Sequence, residues 1–587
     1  MRILIFSLSV VASLSYAAKP TPFPITPDNN GQDFMVSATN PYVSSTGYSI
    51  LKEGGNAIDA MVAMQMVMSV VEPDMTGIGG GTFALFYQHD KQKFLALDGR
   101  DEAPSSAHPE MFIENGKALS RDEILGPRSV AVPGTLRLLY STHEQYGKLP
   151  WSELVQPAIK LARDGYAMNS YTYDIVVREQ TRLARDPEIK ALYWQDDEVK
   201  PTGTLMKNPK MAETLRKISQ QGDSYLYGGE LGQHIVETVN SRIGDQHEKL
   251  SLEDFKHYQV KLRDIIESDY RGNKIVSFGY PASGGVMVAQ SLELLVPYDI
   301  AHMAKTDVEP WRLMTEAMRL AKADRIAYAG DPDYVEAPVE QLLSKAYLDQ
   351  RRDLIPDNGT SKENPKAGQI TQTQYAQYQG FESKDTGHIS IVDREGNAIA
   401  MTSTVGTGMG SGVMVDGVIL NAQMANFSPQ PTLNGKPTQN SIEAGKRPRS
   451  AITPLMVMDS DDNLRLVVGS PGSSQIPGYV LKTVVGVLDW KLSAQEAIDL
   501  PNIQYGTKID RTKPYDPTGL LVEKKTFAEI LVPEFMAQRI VVERLVQWGS
   551  SADFRKTKQT KKPVEYRLAF AFFFIDKRAK DLCPTRR

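Results

Sequence analysis

The stretch Lys384-Asp385-Thr386-Gly387-His388-Ile389-Ser390-Ile391-Val392-Asp393 decides the fold of this chain. Its isoleucines fall on one face of an extended chain, and a histidine and a serine fall on the other. This alternation predicts a half-buried β-strand. Thr386 begins the strand, directly after an acidic residue.

A second strand follows the first after a tight turn at residues 394–397, and it ends at Thr404. With the two central turn residues as the loop, Thr404 faces Gly387, and Thr386 lies beside Val405. The predicted hairpin therefore brings two threonine hydroxyls together at its open end.

An internal threonine is a weak nucleophile because its hydroxyl has no base of its own. Cleavage of the Asp385–Thr386 peptide would give Thr386 a free α-amine, whose reference pKa is roughly 7.7–8.0. Nucleophile and base would then share one residue, as in N-terminal threonine hydrolases. The alternative is that Thr386 only begins an ordinary strand, since threonine is common in strands.

Glycine-rich and charged motifs occur in a fixed order on both sides of Thr386. They are Glu53 to Ala60 (EGGNAIDA), Gly77 to Gly81 (GIGGG), Asp98 to Pro104 (DGRDEAP), Val132 to Gly134 (VPG), Ser283 to Gly285 (SGG), Leu420 to Met424 (LNAQM), Lys446 to Pro448 (KRP) and Gly469 to Ser474 (GSPGSS). Over residues 32–504 this ordered set resembles the γ-glutamyltranspeptidase family of N-terminal nucleophile hydrolases. Thr386 falls where that family makes its autocatalytic cut.

The resemblance implies an α/β fold, an αββα sandwich of two stacked β-sheets flanked by helices. One precursor is expected to be cut into two interwoven subunits, a large one of residues 18–385 and a small one of residues 386–587. The implied reaction is γ-glutamyl hydrolysis or transfer from glutathione-like amides through an acyl-enzyme on Thr386. The expected partners are this substrate, an acceptor (amino acid, dipeptide or water) and the two subunits. No cofactor or metal is implied.

Attack on an amide creates an oxyanion, which needs fixed hydrogen-bond donors. Backbone N–H groups of residues 469–474 can supply them, and the resemblance assigns the oxyanion hole to Gly472 and Ser473. The family usually has glycine at the position of Ser473. The resemblance also implies that Thr404 hydrogen-bonds the Thr386 hydroxyl and holds it in register.

Arg100 is the candidate clamp for the α-carboxylate of a γ-glutamyl group, because a guanidinium can pair with a carboxylate in bidentate fashion. The alternative for Arg100 is a surface ion pair with a neighbouring acidic residue. Ser450 can donate a second hydrogen bond to the same carboxylate.

Three positions in the substrate pocket depart from the family pattern. Asn426 replaces an aspartate that grips the substrate's α-ammonium, Ala451 replaces a carboxylate-binding serine, and Gly406 replaces an asparagine. The lost carboxylate forfeits a charge-assisted hydrogen bond worth about 1.5–3 kcal/mol, and Gln423 is the nearest other candidate for the ammonium.

The segment Ala425-Asn426-Phe427-Ser428 resembles the acylase branch of the family, whose substrates include glutaryl side chains without an α-amine. An exported acylase for such amides is therefore the alternative function. An inactive family member is the second alternative.

Composition fits an ordinary globular protein, with 41% hydrophobic and 23% charged residues in a chain of 587. The net charge of -5 gives no electrostatic footprint for nucleic acid. The eight histidines show no ligand spacing, and a single cysteine, Cys583, excludes both thiolate metal sites and an internal disulfide.

The N-terminus has the features of a signal peptide of residues 1–17: a positive Arg2, an apolar run and small residues before the cleavage site at Ala17. The apolar run is shorter than the ~20 residues needed to cross a bilayer, so no membrane association is expected. We expect a periplasmic or secreted protein.

Four further segments carry structural predictions. Residues 57–71 are apolar on nearly all sides, which predicts a buried helix, and residues 151–164 have helical periodicity with Leu154, Ala158, Ile159 and Leu161 as the inner face. Residues 367–384 predict an exposed linker before the cut. After about residue 507 the chain diverges from the family, and its aromatic run at 570–575 predicts an aggregation-prone tail.

Overall fold

The structure is a computed structural model, and it describes residues 33–245, 247–360, 365–370, 375–376, 385–505, 519–538 and 542–546. The predicted signal peptide, the single cysteine and the aromatic run lie outside the described residues. Within the described ranges, no helix is long and apolar enough to cross a membrane.

Two antiparallel sheets form the centre of the molecule. The first sheet has six strands, in the spatial order Met35–Ala38, Gly387–Val392, Ala398–Thr404, Gly81–Gln88, Lys93–Gly99 and Lys261–Arg263. The second sheet has four, in the order Ile265–Tyr270, Asn273–Phe278, Leu455–Met458 and Leu464–Val468. Their facing side chains form one buried apolar cluster, which includes Phe83 and Leu85 from the first sheet and Val276 and Leu466 from the second.

A helix layer covers the outer face of each sheet. Helices Pro41–Lys52, Ala57–Val71 and Thr135–Tyr146 pack on the first sheet, and helix Trp151–Asp164 packs on Ala57–Val71. Helix Gly284–Leu295 packs on the second sheet, and helices Val308–Tyr328 and Ile476–Leu488 pack against that helix. Helices Ser170–Arg178, Pro209–Gln221 and Glu230–Ile243 extend the first layer. The predicted αββα sandwich is confirmed.

The helix Ala57–Val71 lies at the centre of the first layer, and every one of its residues is buried. It begins with a capping box, in which the Asn56 side chain accepts from the Asp59 N–H and the Asp59 carboxylate accepts from the Asn56 N–H. The Ala57 N–H donates to Asp393 in the turn of the hairpin at 3.0 Å. The hairpin and the central helix are thus fixed to each other.

Both sheets contain strands from before and after the Asp385–Thr386 bond. In the first sheet the strand Ala398–Thr404 pairs with Gly81–Gln88, and in the second sheet Leu455–Met458 pairs with Asn273–Phe278. A cut at this bond would leave two segments whose strands share both sheets and one core.

The hairpin differs from its prediction by one residue. Gly387 pairs with Ser403 rather than with Thr404, and one position earlier in this register Thr386 falls opposite Thr404. The reason is the loop, which is three residues long because the Asp393 N–H donates to the Asn397 carbonyl and Gly396 takes φ +86°. A left-handed glycine at that place closes a three-residue hairpin.

The strand Gly387–Val392 is also more buried than predicted, since all six residues are buried. Ile389 and Ile391 face the helix layer as expected. His388 and Ser390 do not face solvent but the second sheet, where the Ser390 hydroxyl lies 3.5 Å from the Val467 carbonyl. Both faces of the strand therefore contribute to the interior.

Three of the remaining structural predictions need correction. The buried face of helix Trp151–Asp164 is Leu154, Val155, Ala158 and Ala162, because Ile159 and Leu161 are half-buried. In the predicted linker of residues 367–384, most of the described residues are not exposed: Ala367, Ile370 and Ala376 pack against the body, and the Gly368 N–H donates to Asp324. Beyond residue 507, the strand Leu520–Glu523 pairs with Ile503–Tyr505 and with Val542–Val546.

Candidate active site

The open end of the hairpin holds the predicted cleavage site in a buried position. Asp385 and Thr386 are 3% and 1% exposed. The Thr404 hydroxyl donates to the Asp385 carbonyl oxygen at 2.6 Å and accepts from the Gly406 N–H at 2.8 Å. Thr404 thus holds the carbonyl of the bond that the sequence predicts to be cut.

The Thr386 hydroxyl is buried and has no hydrogen-bond partner among the described residues. The sequence predicted that Thr404 would bond to this hydroxyl. In the uncut chain Thr404 bonds instead to the carbonyl one residue earlier, although the register places the two threonines opposite each other. The nucleophilic atom and the carbonyl it would attack therefore lie in adjacent residues, and the carbonyl is the one that is fixed.

The side chain of Asp385 is held by a residue that sequence reasoning missed. The Tyr171 hydroxyl, on helix Ser170–Arg178, donates to the Asp385 carboxylate, and the next residue, Thr172, donates to Asp74 at 2.7 Å. Burial raises the pKa of Asp74 to about 7, and the charge of Asp385 adds to that rise. Asp74 follows an apolar helix in the sequence, which was a usable signal; nothing local distinguished Tyr171.

A polar layer lies between the sheets behind the nucleophile. His388 is enclosed by the Thr402 hydroxyl at 2.7 Å and the Ser390 hydroxyl at 3.0 Å. Burial lowers the pKa of His388 to about 3, so this histidine is neutral at neutral pH. It is a structural hydrogen-bonding group in the interior.

The predicted oxyanion loop follows the strand Leu464–Val468 and starts against the hairpin. A Cβ at Gly469 would lie 2.2 Å from His388 Cε1, so glycine is required for this close approach. Gly472 has φ +132° and Ser473 has φ +63°. Ser473 therefore has the left-handed backbone that glycine adopts without strain, and its N–H points as it would with glycine at this position. The serine side chain makes this backbone conformation strained.

Arg100 is fully buried rather than on the surface. Its Nε donates to the Pro448 carbonyl at 3.2 Å, and its guanidinium lies 3.6 Å from the Asp101 carboxylate. Burial raises the pKa of Asp101 to about 8, although Arg100 opposes that rise. A buried guanidinium that contacts residues from before and after the predicted cut is suited to bind a carboxylate.

Ion pairs next to Arg100 connect the two sides of the predicted cut. Arg447 pairs with Asp98 at 2.9 Å, and both side chains are fully buried. Asp98 also accepts from the Arg100 N–H and from Arg263. Burial alone would raise the pKa of Asp98, but Arg447 and Arg263 together lower it below its usual range. This network fixes the backbone of Arg100.

Gln423 and Asn426 are brought together, as each side chain is buried and the Asn426 amide donates to the Gln423 carbonyl oxygen. The Gln423 Nε2 has no hydrogen-bond partner among the described residues. It lies 3.4 Å from where a Cβ of Gly406 would be, and Gly406 has φ +100°. This end of the pocket carries no carboxylate of its own from positions 406, 423 or 426.

Ser450 lies two residues after Pro448, the Arg100 acceptor, and its backbone pairs with residues 281–283. Its hydroxyl accepts from the Ile452 N–H at 3.2 Å. The neighbouring Ala451 is buried and offers no side-chain donor. Across the part of the chain that is described, no three histidine, cysteine, aspartate or glutamate side chains group as a metal site.

Comparison with known proteins identifies the family. The family model "Gamma-glutamyltranspeptidase" matches residues 43–551, which extends past residue 507, where the sequence alone offered no match. The glutathione hydrolase proenzyme of Bacillus subtilis (strain 168) is 33% identical over 485 residues, which cover 81% of each chain. The acylase ACY 1 proenzyme of Pseudomonas sp. (strain V22) is also 33% identical, over 81% of this chain and 82% of its own.

Solved structures give the same result. The cephalosporin acylase from Bacillus halodurans matches with a TM-score of 0.75 and 25% identity, over 88% of this chain and 90% of its own. The γ-glutamyltranspeptidase of Helicobacter pylori matches with a TM-score of 0.53 and 32% identity, over 57% of this chain and 95% of its own. With its αββα sandwich and a family match over most of its length, the chain belongs to the γ-glutamyltranspeptidase family of N-terminal nucleophile hydrolases.

Proposed function

We propose that this chain cuts itself at the Asp385–Thr386 bond and then acts as a γ-glutamyl hydrolase or transferase, with Thr386 as nucleophile. The observation that carries the proposal is the 2.6 Å hydrogen bond from Thr404 to the Asp385 carbonyl, next to a buried Thr386 hydroxyl. A donor fixed on a carbonyl oxygen stabilises the negative charge that develops there during attack.

In maturation, the Thr386 Oγ attacks the Asp385 carbonyl carbon, and Thr404 donates to the resulting oxyanion. The C–N bond breaks, the proton of the hydroxyl passes to the nitrogen, and an ester joins Asp385 to Thr386. Water then hydrolyses the ester, which leaves a carboxylate on Asp385 and both a hydroxyl and a free amine on Thr386. The residues give proximity as well as charge stabilisation, because the reacting groups are neighbours in the chain.

In turnover, the free amine of Thr386 takes the proton of its own hydroxyl, since its reference pKa is roughly 7.7–8.0. The oxygen attacks the γ-amide, the backbone N–H groups of Gly472 and Ser473 stabilise the oxyanion, and the substrate amine leaves with the proton. Arg100 and Ser450 would hold the carboxylate at the far end of the acyl group. Water or an acceptor amine then takes the acyl group from Thr386.

A second candidate function is an acylase for glutaryl-like amides. The observation that favours it is the pair Gln423 and Asn426. Both side chains are neutral amides, whereas binding the α-ammonium of a γ-glutamyl group would favour a carboxylate. The relative from Pseudomonas sp. (strain V22), an acylase by name, is as similar to the chain as the Bacillus subtilis glutathione hydrolase. Both functions use the same nucleophile and differ in the acyl group.

The test is a side-by-side assay of γ-glutamyl-p-nitroanilide and glutaryl-p-nitroanilide on the purified, cut protein. The two substrates differ only in the α-ammonium. A higher kcat/KM for the γ-glutamyl substrate supports the first proposal, and a higher value for the glutaryl substrate supports the acylase. An uncut chain that is inactive on both would make it an inactive family member.

Thr404 supplies a second test, because its role depends on the hydroxyl alone. Thr404→Ala is expected to slow both cutting and turnover by about ten- to a hundredfold, the value of one hydrogen bond to a developing charge. Thr404→Ser keeps the hydroxyl and is the matched control. Equal rates in the alanine and serine variants would remove Thr404 from the mechanism.

We also propose that the protein is exported to the periplasm or secreted after loss of residues 1–17. The support is the sequence pattern alone: a positive residue, a short apolar run and small residues before the site. N-terminal sequencing of the large subunit after expression in a Gram-negative host tests it, and a subunit that retains Met1 contradicts it.

A further inference from the structure

The residue before the predicted cut is held at both of its acceptor groups. Its carbonyl oxygen accepts from Thr404 on the first sheet, and its carboxylate accepts from Tyr171 on the helix Ser170–Arg178. The other carboxylate oxygen of Asp385 has no hydrogen-bond partner among the described residues. The helix and the sheet thus hold one residue from two sides.

The helix that carries Tyr171 is itself fixed to the frame of the site. Asn169 caps its first turn by accepting from the Thr172 N–H at 2.7 Å. The Thr172 hydroxyl donates to Asp74, and the Asp74 carbonyl accepts from the Met409 N–H at 3.1 Å. Met409 lies on the loop that follows Thr404, so Tyr171 and Thr404 are held by the same group of segments.

The charges around Asp385 make an orienting donor useful. Asp74 repels the Asp385 carboxylate, whereas the guanidinium groups of Arg121, Arg178 and Arg182 attract it. Burial raises the pKa of Tyr171 well above its usual value, so its hydroxyl stays protonated and donates. The neutral Tyr171 hydroxyl, bonded to one carboxylate oxygen of Asp385, therefore determines how this carboxylate is oriented between the attracting and the repelling charges.

We infer that Tyr171 is a positioning residue for self-cleavage. Its hydrogen bond to the Asp385 carboxylate fixes the side-chain rotation of Asp385, and with Thr404 on the carbonyl oxygen this presents the carbonyl carbon to the Thr386 Oγ. The inference rests on the proposed autocatalytic cut and deepens it. It concerns maturation, because the bond that joins Asp385 to Thr386 no longer exists in the cut enzyme.

The experiment follows precursor made by a pulse of cell-free synthesis as it is converted into two subunits on a denaturing gel. Tyr171→Phe is expected to slow conversion by about ten- to a hundredfold, the effect of one hydrogen bond to a charged group. Tyr173→Phe is the matched control, because the Tyr173 hydroxyl, two residues along the same helix, makes no hydrogen bond to any described residue. It is expected to mature at the wild-type rate.

Variants on the other side of the contact separate positioning from folding. Asp385→Ala is expected to slow maturation as much as Tyr171→Phe, and the double variant to be no slower than the slower single one, because both remove one contact. Asp385→Asn keeps an acceptor for Tyr171 and is expected to recover most of the rate. A purely structural role for Tyr171 predicts neither the recovery nor the non-additive double variant.

Maturation of Tyr171→Phe at the wild-type rate would overturn the inference. A double variant of Tyr171→Phe and Asp385→Ala whose fold-slowing equals the product of the two single effects would also overturn it. Failure of the proposed function gives a different result. In that case the wild-type chain itself stays uncut, or Thr386→Ala is cut as well. A wild type that is cut, with Thr386→Ala uncut and Tyr171→Phe unaffected, removes only the role of Tyr171.

Discussion

The two ends of the candidate site are built on different supports. Thr404 ends one strand of the first sheet, and Thr386 directly precedes the adjacent strand Gly387–Val392, which is packed between a fully buried helix and the second sheet. Arg100, Asn426 and Ser450 belong to loops and a short helical turn that follow strands or connect them. The end with Thr386 and Thr404 is fixed by a ladder of backbone hydrogen bonds along paired strands, whereas the acyl end is fixed by side-chain contacts and one isolated backbone bridge at Ser450.

The departures from the family pattern that the sequence predicts, at positions 406, 426 and 451, all lie at the acyl end, and this difference in support is consistent with them. A change at Thr386 or Thr404 alters groups that paired strands hold in one register, and any slip would move every side chain of the strand to the other face. A change at Asn426 or Gly406 alters one contact on a loop. Substrate choice can therefore vary while the cleavage chemistry stays the same.

The largest expected effect tests the nucleophile end. Thr386→Ala removes both the attacking oxygen of maturation and the nucleophile of turnover, so a single uncut chain without amide hydrolysis is expected. Thr386→Ser retains a hydroxyl and is the matched control, expected to be cut and active. Subunit composition on a gel and release of p-nitroaniline measure both. Two subunits from the alanine variant would show that another protease makes the cut.

The next effect tests the anchor of the acyl end. Arg100→Ala removes a bidentate, charge-assisted contact, so kcat/KM is expected to fall by about a hundredfold or more for both γ-glutamyl and glutaryl substrates, which share the carboxylate. Arg100→Lys keeps the positive charge but lacks the planar guanidinium, so its kcat/KM is expected to lie between those of the wild type and Arg100→Ala. Because Arg100 is buried, the thermal midpoint of each variant is measured as well. A loss confined to one substrate would place another group on the carboxylate.

A smaller effect sharpens the comparison within the pocket. Asn426→Asp restores a carboxylate for the substrate ammonium and is expected to raise kcat/KM for γ-glutamyl-p-nitroanilide by about ten- to a hundredfold. The glutaryl substrate has no ammonium and is expected to gain nothing. Ala451→Ser is the matched control, since it adds a donor for the carboxylate that both substrates carry. A neutral Asn426→Asp result, with glutathione already cleaved efficiently, would mean that another residue holds the ammonium, with Gln423 the nearest candidate, and would weaken the acylase alternative.

The sequence predicted the hairpin and the buried helix, because each depends on a periodic local pattern. The sandwich was predicted from the family resemblance that the ordered motifs carry. The register of the hairpin was wrong by one residue, since it depends on Gly396 taking a left-handed backbone and closing a three-residue loop. The prediction that the strand Gly387–Val392 is only half-buried was wrong for a different reason. His388 and Ser390 are polar, and an alternating pattern does not distinguish solvent from a hydrogen-bonded layer between two sheets.

Long-range contacts explain the rest of what the sequence did not reveal. Tyr171 and Asp385 are 214 positions apart in the chain, and neither belongs to a motif that indicates the other. Arg100 was expected at the surface unless it had a carboxylate ligand, because its neighbours in sequence are acidic. In the structure Arg100 is enclosed by Pro448 and by the pair Arg447–Asp98, and Pro448 and Arg447 both come from beyond the predicted cut. The roles of the predicted site residues stay predictions.

The smallest expected effect concerns the oxyanion loop, where a residue outside the sheet keeps a strained backbone. Ser473 has φ +63°, a region that costs a non-glycine residue about 1–2 kcal/mol. Ser473→Gly removes that strain but makes the unfolded chain more flexible, which costs about 0.4–1 kcal/mol. The net gain in the free energy of unfolding is therefore expected to be about 1 kcal/mol or less, measured on the uncut Thr386→Ala background. Ser474→Gly, one residue on and without positive φ, is the matched control and is expected to lower stability.

Turnover of Ser473→Gly in the cut enzyme then decides which atom is the donor. Turnover persists if the backbone N–H stabilises the oxyanion, and it falls by about a hundredfold or more if the serine hydroxyl does.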